Sequence, residues 1–332
     1  MNDIENSDTM NGKRVFIHPG YARAGTTTLH ENLFKNHPEI ISIGEPFTDL
    51  GFQLYDELRK VEYFDYDEVT VQALINKMLV CSDRNNARCV VLSDDSLLWG
   101  GMPMSGPGRF LLVPMMAKRL KRFFPNAHII FTIRNQIKLL ESSYANSGHI
   151  LKHVPLPHTG KNIRIDNWIS FLYEHKNSSY LRDLDYNSII SVYEKIFGKN
   201  CIHIFLLEQL ASDSNAYINK LVDTLSINKE KAFQLLSNKR NKQRPSNRKV
   251  SYYRFRQKFF PGLGLSKIMP FGSFFRNSFN DFIVKGKPLK DDIPENWVHL
   301  LADLYSKGNT DLSSRYGLNL EEYQYPITEQ PK

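Results

Sequence analysis

Residues 18–29 read HPGYARAGTTTL, preceded by the apolar run RVFI (14–17) and overlapping the helix-compatible LHENLF (29–34). Gly20 and Gly25 stand at the glycine spacing of a nucleoside-triphosphate loop, G-x-x-x-x-G-K-[ST], with Thr27 in the hydroxyl position. Thr26, however, stands where that loop requires lysine. Glycines at these two places let the backbone turn tightly and approach a ligand, so that amides of residues 23–28 face an anion at a helix N-terminus. Thr26, Thr27 and Thr28 add hydroxyl donors, and the cation is displaced, not lost: Arg23 lies three residues before the lysine position.

The elements around this loop alternate. A strand over 14–17 leads through the loop into a helix over 26–36, which stops before Pro38. IISIG (40–44) reads as a second buried strand that closes on Glu45, and a helical, acidic stretch covers about 52–79. RCVVLSDD (88–95) gives a third strand with Asp94 and Asp95 at its carboxyl end. A helix over 112–124 precedes the strand HIIFTI (128–133), which ends at Arg134. Helices over about 136–147, 166–175 and 186–197, a His- and Pro-rich loop at 148–162, the strand CIHIFLL (201–207) and a helix over 214–225 complete the pattern. Alternation of this kind predicts an α/β fold with a central parallel sheet flanked by helices, its ligand site at the carboxyl ends of the strands. We read residues 13–332 as a single domain, 1–12 as a flexible N-terminus and 230–285 as a basic, aromatic cap or loop region.

A second anion motif lies about 110 residues further on. In IIFTIRNQIKLLESSY (129–144), Arg134 ends a strand and Ser142 follows two helical turns later on the same side. Arginine offers a planar fork of donors to a phosphate, and serine adds a hydroxyl. Two anion sites, each at a strand end, suit a nucleotide with phosphates at both ends.

These residues together resemble the sulfotransferases that use 3′-phosphoadenosine 5′-phosphosulfate (PAPS). GYARAGTTTL is similar to their 5′-phosphosulfate loop, with Arg23 where lysine is usual and Ala24 in the small-residue slot. RNQIKLLESSY is similar to their 3′-phosphate motif, except that Gln136 replaces the usual proline and Leu139 the second arginine. The stretches 193–227 and 312–326 also resemble family segments. The resemblance implies PAPS as donor, bound by Arg23, Ala24, Gly25, Thr26, Thr27, Thr28, Arg134 and Ser142, with Lys239 and Arg240 near the 3′-phosphate and no metal. It further implies in-line attack by an acceptor hydroxyl, Arg23 stabilising charge on the leaving phosphate and Glu45 as general base. Glu45 alternatively caps a helix or pairs with Arg23. Asp94 and Asp95 compete with it as base or sugar ligand, or serve as an N-cap. The acceptor is expected to be a carbohydrate or glycolipid hydroxyl, with His149 in an acceptor-side loop. His149, His153 and His158 have no carboxylate or thiol beside them, which argues against a metal site.

Composition narrows the alternatives. With 41% hydrophobic and 23% charged residues the chain is a folding one, and no apolar run approaches the roughly 20 residues of a membrane span. The polar, acidic MNDIENSDTMNGKR lacks the features of a signal or anchor, pointing to a cytoplasmic, bacterial enzyme. Cys81, Cys89 and Cys201 lack zinc or disulfide spacing and read as reduced, mostly buried thiols. Residues 231–280 hold 12 Lys or Arg and no acid, while the other 282 residues carry 31 basic against 35 acidic groups, so one segment makes the protein basic. That segment suits closure over the donor, contact of 240–280 with an anionic membrane, or a solvated cap. A nucleic-acid-binding protein is the alternative outside enzymology, but it leaves the Arg134–Ser142 spacing unexplained. A small-molecule kinase is the other alternative, and Thr26 in the lysine slot counts against it.

Overall fold

Side chains alternate along the strands with period two, and the alternation divides the core in two. Val15 and Ile17, Val90 and Leu92, Ile129 and Phe131, and Ile202 and Ile204 face one side of the sheet. Phe16, Cys89, Val91, Ile130 and Phe205 face the other. A sheet buried on both faces requires helices on both, which is the layered arrangement expected from the sequence. The computed structural model describes residues 9–10, 12–44, 48–60, 66–81, 86–99, 109–146, 164–177, 180–237, 246–259, 286–287 and 292–328.

Five strands run parallel in the order β3 (Ile40–Ile43), β4 (Cys89–Ser93), β2 (Lys13–Gly20), β5 (His128–Ile133), β6 (Ile202–Leu206). β1 (Thr9–Met10), inside the stretch expected to be flexible, pairs antiparallel with Arg14 and Lys13. From β2 the chain passes outward to β3 and back to β4, then crosses to the opposite side of β2 to form β5 and β6. The connections thus diverge around β2, and a ligand crevice opens at such a point.

One face is covered by α1 (Thr26–Thr28) with its π-helical continuation Leu29–Phe34, by α11 (Ser214–Leu225) and by α12 (Lys229–Ser237). The other carries α2 (Asp49–Arg59), α3 (Glu68–Cys81), α5 (Arg109–Phe123), α6 (Gln136–Asn146), α7 (Ile165–Glu174), α9 (Tyr186–Phe197) and α14 (Glu295–Tyr316). The short α4 (Ser96–Trp99) and α8 (Tyr180–Asp183) pack on this second face and α10 (Leu207–Ser212) on the first; α13 (Asn247–Phe259) lies in the basic segment.

The helix expected over 52–79 is two. The Asp67 carboxylate accepts from the Val69 amide at 2.9 Å and from the Thr70 hydroxyl, an N-cap that starts α3 afresh. Cys89 is buried as expected, but Cys81, at the end of α3, is exposed and Cys201 half-buried. Burial raises the Cys89 thiol to about 12 and keeps it protonated.

His18 ties the three central strands together from within. Its Nδ1 lies 2.9 Å from Ser93 Oγ on β4 and its Nε2 3.0 Å from Thr132 Oγ1 on β5. A neutral imidazole serves both contacts, with Ser93 donating to Nδ1, Nε2–H donating to Thr132, and Thr132 donating on to the Gly20 carbonyl at 3.5 Å. Burial, with a smaller effect of His30, lowers the His18 pKa to about 3. The folded state therefore excludes a proton that the unfolded chain binds below about 6.5. This contribution to stability is complete above that value and is lost as pH falls from it toward 3. Urea unfolding between pH 7 and 5 is expected to show wild type losing about 2 kcal/mol more than His18→Gln; equal pH slopes would contradict the assignment.

Candidate active site

The loop after β2 is shaped by backbone conformations that few residues adopt. β2 shifts register against β5 between Ile17 and Gly20, and the Tyr21 amide then donates to the Thr132 carbonyl at 2.9 Å. Arg23 sits in the left-handed region at φ 67°, and Gly25 follows at φ 89° as N-cap of α1. Positive φ is uncommon for a residue with a Cβ and marks a conformation imposed by its surroundings. Ala24, expected among the donor-binding residues, has a buried methyl, and its amide is committed to the Tyr21 carbonyl at 3.1 Å. Its part is to shape the turn. The amides of Gly25, Thr26 and Thr27 and the hydroxyls of Thr26, Thr27 and Thr28 have no hydrogen-bond partner among the described residues, and they open at the N-terminal end of a helical run.

Arg134 reaches the same place from the adjacent strand. Its Nη1 donates to the Arg23 carbonyl at 3.3 Å, while Arg23 Nε donates to Ser142 Oγ on α6 at 3.0 Å. The two anion motifs of the sequence are therefore one cluster, with Arg23 held between the members of the second. Burial and the neighbouring Arg134 charge both lower the Arg23 pKa, and Tyr180 and Asp95 offset this in part. Arg23 makes no ion pair among the described residues, and the half-buried Arg134 guanidinium lies beside it. Such a pair favours an anion with more than one charged oxygen. Leu139, in the slot of the family's second arginine, is fully buried and packs in the core.

Asp94 and Asp95 are half-buried where β4 turns into α4. The Asp94 amide donates to the His18 carbonyl at 3.2 Å, and the Asp95 Cα lies 3.5 Å from where a Cβ on Gly20 would sit. β3 pairs Ile43 with Leu92, which brings Gly44 level with Ser93. Tyr55 donates its hydroxyl to the Gly44 carbonyl, and burial, then Asp94 and Asp95, push that hydroxyl well above its usual pKa. Both carboxylates therefore act electrostatically on the turn that leads to Glu45. Glu45, His149, Lys239 and Arg240 lie outside the described residues, as do His153 and His158. Among the described residues no three His, Cys, Asp or Glu side chains are grouped to hold a metal.

Sequence reasoning missed what holds the second motif. Tyr186 donates to the Arg134 carbonyl at 2.6 Å, Glu208 accepts from the Asn135 amide at 2.9 Å, and Tyr325 donates to Glu208 at 2.9 Å. Tyr186 opens the helix expected over 186–197, and Glu208 and Tyr325 fall in the stretches 193–227 and 312–326 that resemble family segments, but nothing in the sequence tied them to the Arg134 corner; α14 was not expected although it had a legible signal, with Glu295 in its first turn, Arg315 in its last and Gly317 ending it at φ 63°.

A family profile described as "Sulfotransferase family" matches residues 15–230. The chain belongs to the sulfotransferase family. As a member it is an enzyme of sulfonyl transfer. Among solved structures, a sulfotransferase from Alicyclobacillus acidocaldarius is 16% identical, with 65% of this chain and 81% of that chain covered and a TM-score of 0.46. Sulfotransferase STF9 from Mycobacterium avium is 12% identical over 84% of this chain and 79% of its own, with a TM-score of 0.39. The sulfotransferase domain from the curacin biosynthetic pathway is 12% identical over 94% and 98%, with a TM-score of 0.44. No curated protein matches the chain significantly.

In the loop of this sulfotransferase a Cβ at Gly25 would lie 2.7 Å from Leu207 Cδ1, so the tip of that leucine would have to shift. Gly25→Ala is expected to destabilise by about 1–3 kcal/mol from strain at positive φ and overpacking combined. Adding Leu207→Ala removes the collision but not the strain, so thermal unfolding of the double variant tests whether φ matters independently: Gly25→Ala must still lower stability in the Leu207→Ala background.

Proposed function

We propose that the enzyme transfers the sulfonyl group of PAPS to a saccharide hydroxyl. The acceptor oxygen forms a bond to sulfur as the bond from sulfur to the bridging phosphate oxygen breaks, releasing 3′-phosphoadenosine 5′-phosphate. The acceptor proton passes to a carboxylate. The observation that carries this reading is Arg23 held between Ser142 and Arg134, at 3.0 and 3.3 Å. In this reading the amides and hydroxyls of Gly25 to Thr28 bind the 5′-phosphosulfate, and Arg23 stabilises charge on the leaving oxygen. Arg134 and Ser142 take the 3′-phosphate, a role that Lys239 and Arg240 would share. Preorganised donors aimed at developing charge typically supply the largest single part of such catalysis.

The base is a carboxylate on the β3–β4 side: Glu45, with Asp94 or Asp95 orienting the sugar or replacing it. Proximity of the aspartates to Tyr55 and the Gly44 turn supports one shared acceptor pocket. The acceptor-side loop with His149 would complete it. No helix among the described residues is long and apolar enough to cross a membrane. A peripheral role on an anionic membrane, suited to a glycolipid acceptor and a cytoplasmic location, is supported by Arg248 and Phe255, both exposed two turns apart on α13.

Calorimetry with adenosine 3′,5′-bisphosphate in metal-free buffer is expected to show binding that Arg134→Ala weakens by about 100-fold, the order of one charge-assisted phosphate contact. Binding of ATP–Mg²⁺ instead, insensitive to Arg134→Ala, would overturn the donor assignment. Glu45→Gln is expected to reduce kcat by about 10²–10⁴ with little change in donor KM, the range for loss of a general base. If Asp94→Asn or Asp95→Asn does this and Glu45→Gln does not, the base is the aspartate.

A further inference from the structure

The corner between β5 and α6, residues Arg134 to Gln136, is held by residues from four other parts of the chain. Tyr186 fixes the Arg134 carbonyl at 2.6 Å. The Asn135 amide donates to Glu208 Oε1 at 2.9 Å, while the other oxygen of the same carboxylate accepts from Tyr325 at 2.9 Å. The Asn135 side chain donates to the Gln324 carbonyl, and Gln324 adopts φ 58° to present it. Gln136, where the resembled pattern has a stiff proline, is fully buried, and its carboxamide exchanges two hydrogen bonds with Asn309 on α14, at 2.8 and 3.2 Å. Asn309, also buried, donates its second hydrogen to the Pro326 carbonyl at 2.8 Å.

We infer that Glu208, Asn309 and the tail residues Gln324–Pro326 form a clamp that positions Arg134 for the 3′-phosphate of the donor. The inference rests on the donor reading above. Its physical content is preorganisation. An arginine carries considerable rotamer freedom, and a phosphate contact gains most when the backbone beneath it is already fixed. Three backbone groups at the corner and in the tail, the Asn135 amide and the Gln324 and Pro326 carbonyls, are satisfied by these side chains; neither a helix nor the sheet satisfies them. The Arg134 charge acts weakly on the Tyr325 and Tyr186 hydroxyls, next to the larger effect of burial. Glu208 acts through the Asn135 amide and Tyr325 and is a positioning residue.

The test compares two probes on the full chain: adenosine 3′,5′-bisphosphate and adenosine 5′-monophosphate, which lacks only the 3′-phosphate. Wild type is expected to prefer the bisphosphate strongly. Glu208→Ala should cut that preference about tenfold or more, as expected for loss of hydrogen bonds to a charged group, while leaving the monophosphate affinity within about twofold. Glu208→Gln, which keeps an acceptor for the Asn135 amide and an amide facing Tyr325, should restore most of the preference. Tyr325→Phe, a gentler change, should reduce it in the same direction and covers the case in which Glu208→Ala does not fold. Unchanged preference in folded variants would overturn the clamp, and so would equal loss of both probes, which marks general destabilisation. If wild type itself shows no preference, the donor reading fails first, and the clamp with it.

Discussion

Parallel pairing of β2 with β5 is the constraint on which the site depends. Because these strands are neighbours, the loop leaving β2 and the corner leaving β5 emerge side by side, and the Tyr21 amide bonds directly to the Thr132 carbonyl where they part. Arg23 and Arg134 are 111 residues apart in the chain, yet this pairing brings one guanidinium to the other's carbonyl. His18 reinforces it from inside by bridging to both flanking strands with a neutral ring. A protonated ring there would face two neutral hydroxyls in a fully buried place, which is why burial lowers its pKa so far.

Bringing two arginines together in a partly buried place is unfavourable until an anion arrives. Electrostatics alone would turn the side chains toward water, so the fold must hold them by other means. For Arg23 it does so with a contact to an uncharged atom, a serine hydroxyl, while the Arg23 carbonyl accepts from Arg134. A neutral acceptor orients the Arg23 cation without neutralising it, so its field is kept for an anion. The positive φ at Arg23 belongs to the same arrangement, since it lets the chain turn so that side chain and carbonyl meet different partners of one cluster.

The five parallel strands were legible in the sequence because each is a short apolar run ended by a polar or glycine residue, and buried strands require that pattern. The loop was legible because glycine positions report backbone geometry directly. Arg134 and Ser142 could be placed on one side of a helix from spacing alone. The break between α2 and α3 was not, because Asp67 reads as one more acid in a charged stretch until its carboxylate is seen capping Val69 and Thr70. Cys81 was misplaced because a thiol is apolar enough to suggest burial, whereas its exposure depends on what packs against the end of α3.

The support of the site was the least legible part, and the reason is general. A residue that binds a ligand is chosen for its own chemistry, so its type and neighbours carry a signal. A residue that supports it is chosen for where the fold delivers it. Glu208 looks in sequence like a surface acid after a strand, and Asn309 like a polar residue that weakens a helix. Only the sheet order, which sets β6 beside β5, and the packing of α14 against α9 bring these side chains to the Arg134 corner. A buried Gln–Asn pair is costly unless each amide is satisfied, and here Pro326 supplies the acceptor that the pair itself cannot. The tail is therefore coupled to the centre of the sheet through polar groups as well as through the buried Leu320 and Tyr325 of the core. Polar coupling of this kind tolerates little displacement, which suits a corner whose task is to hold one guanidinium in place.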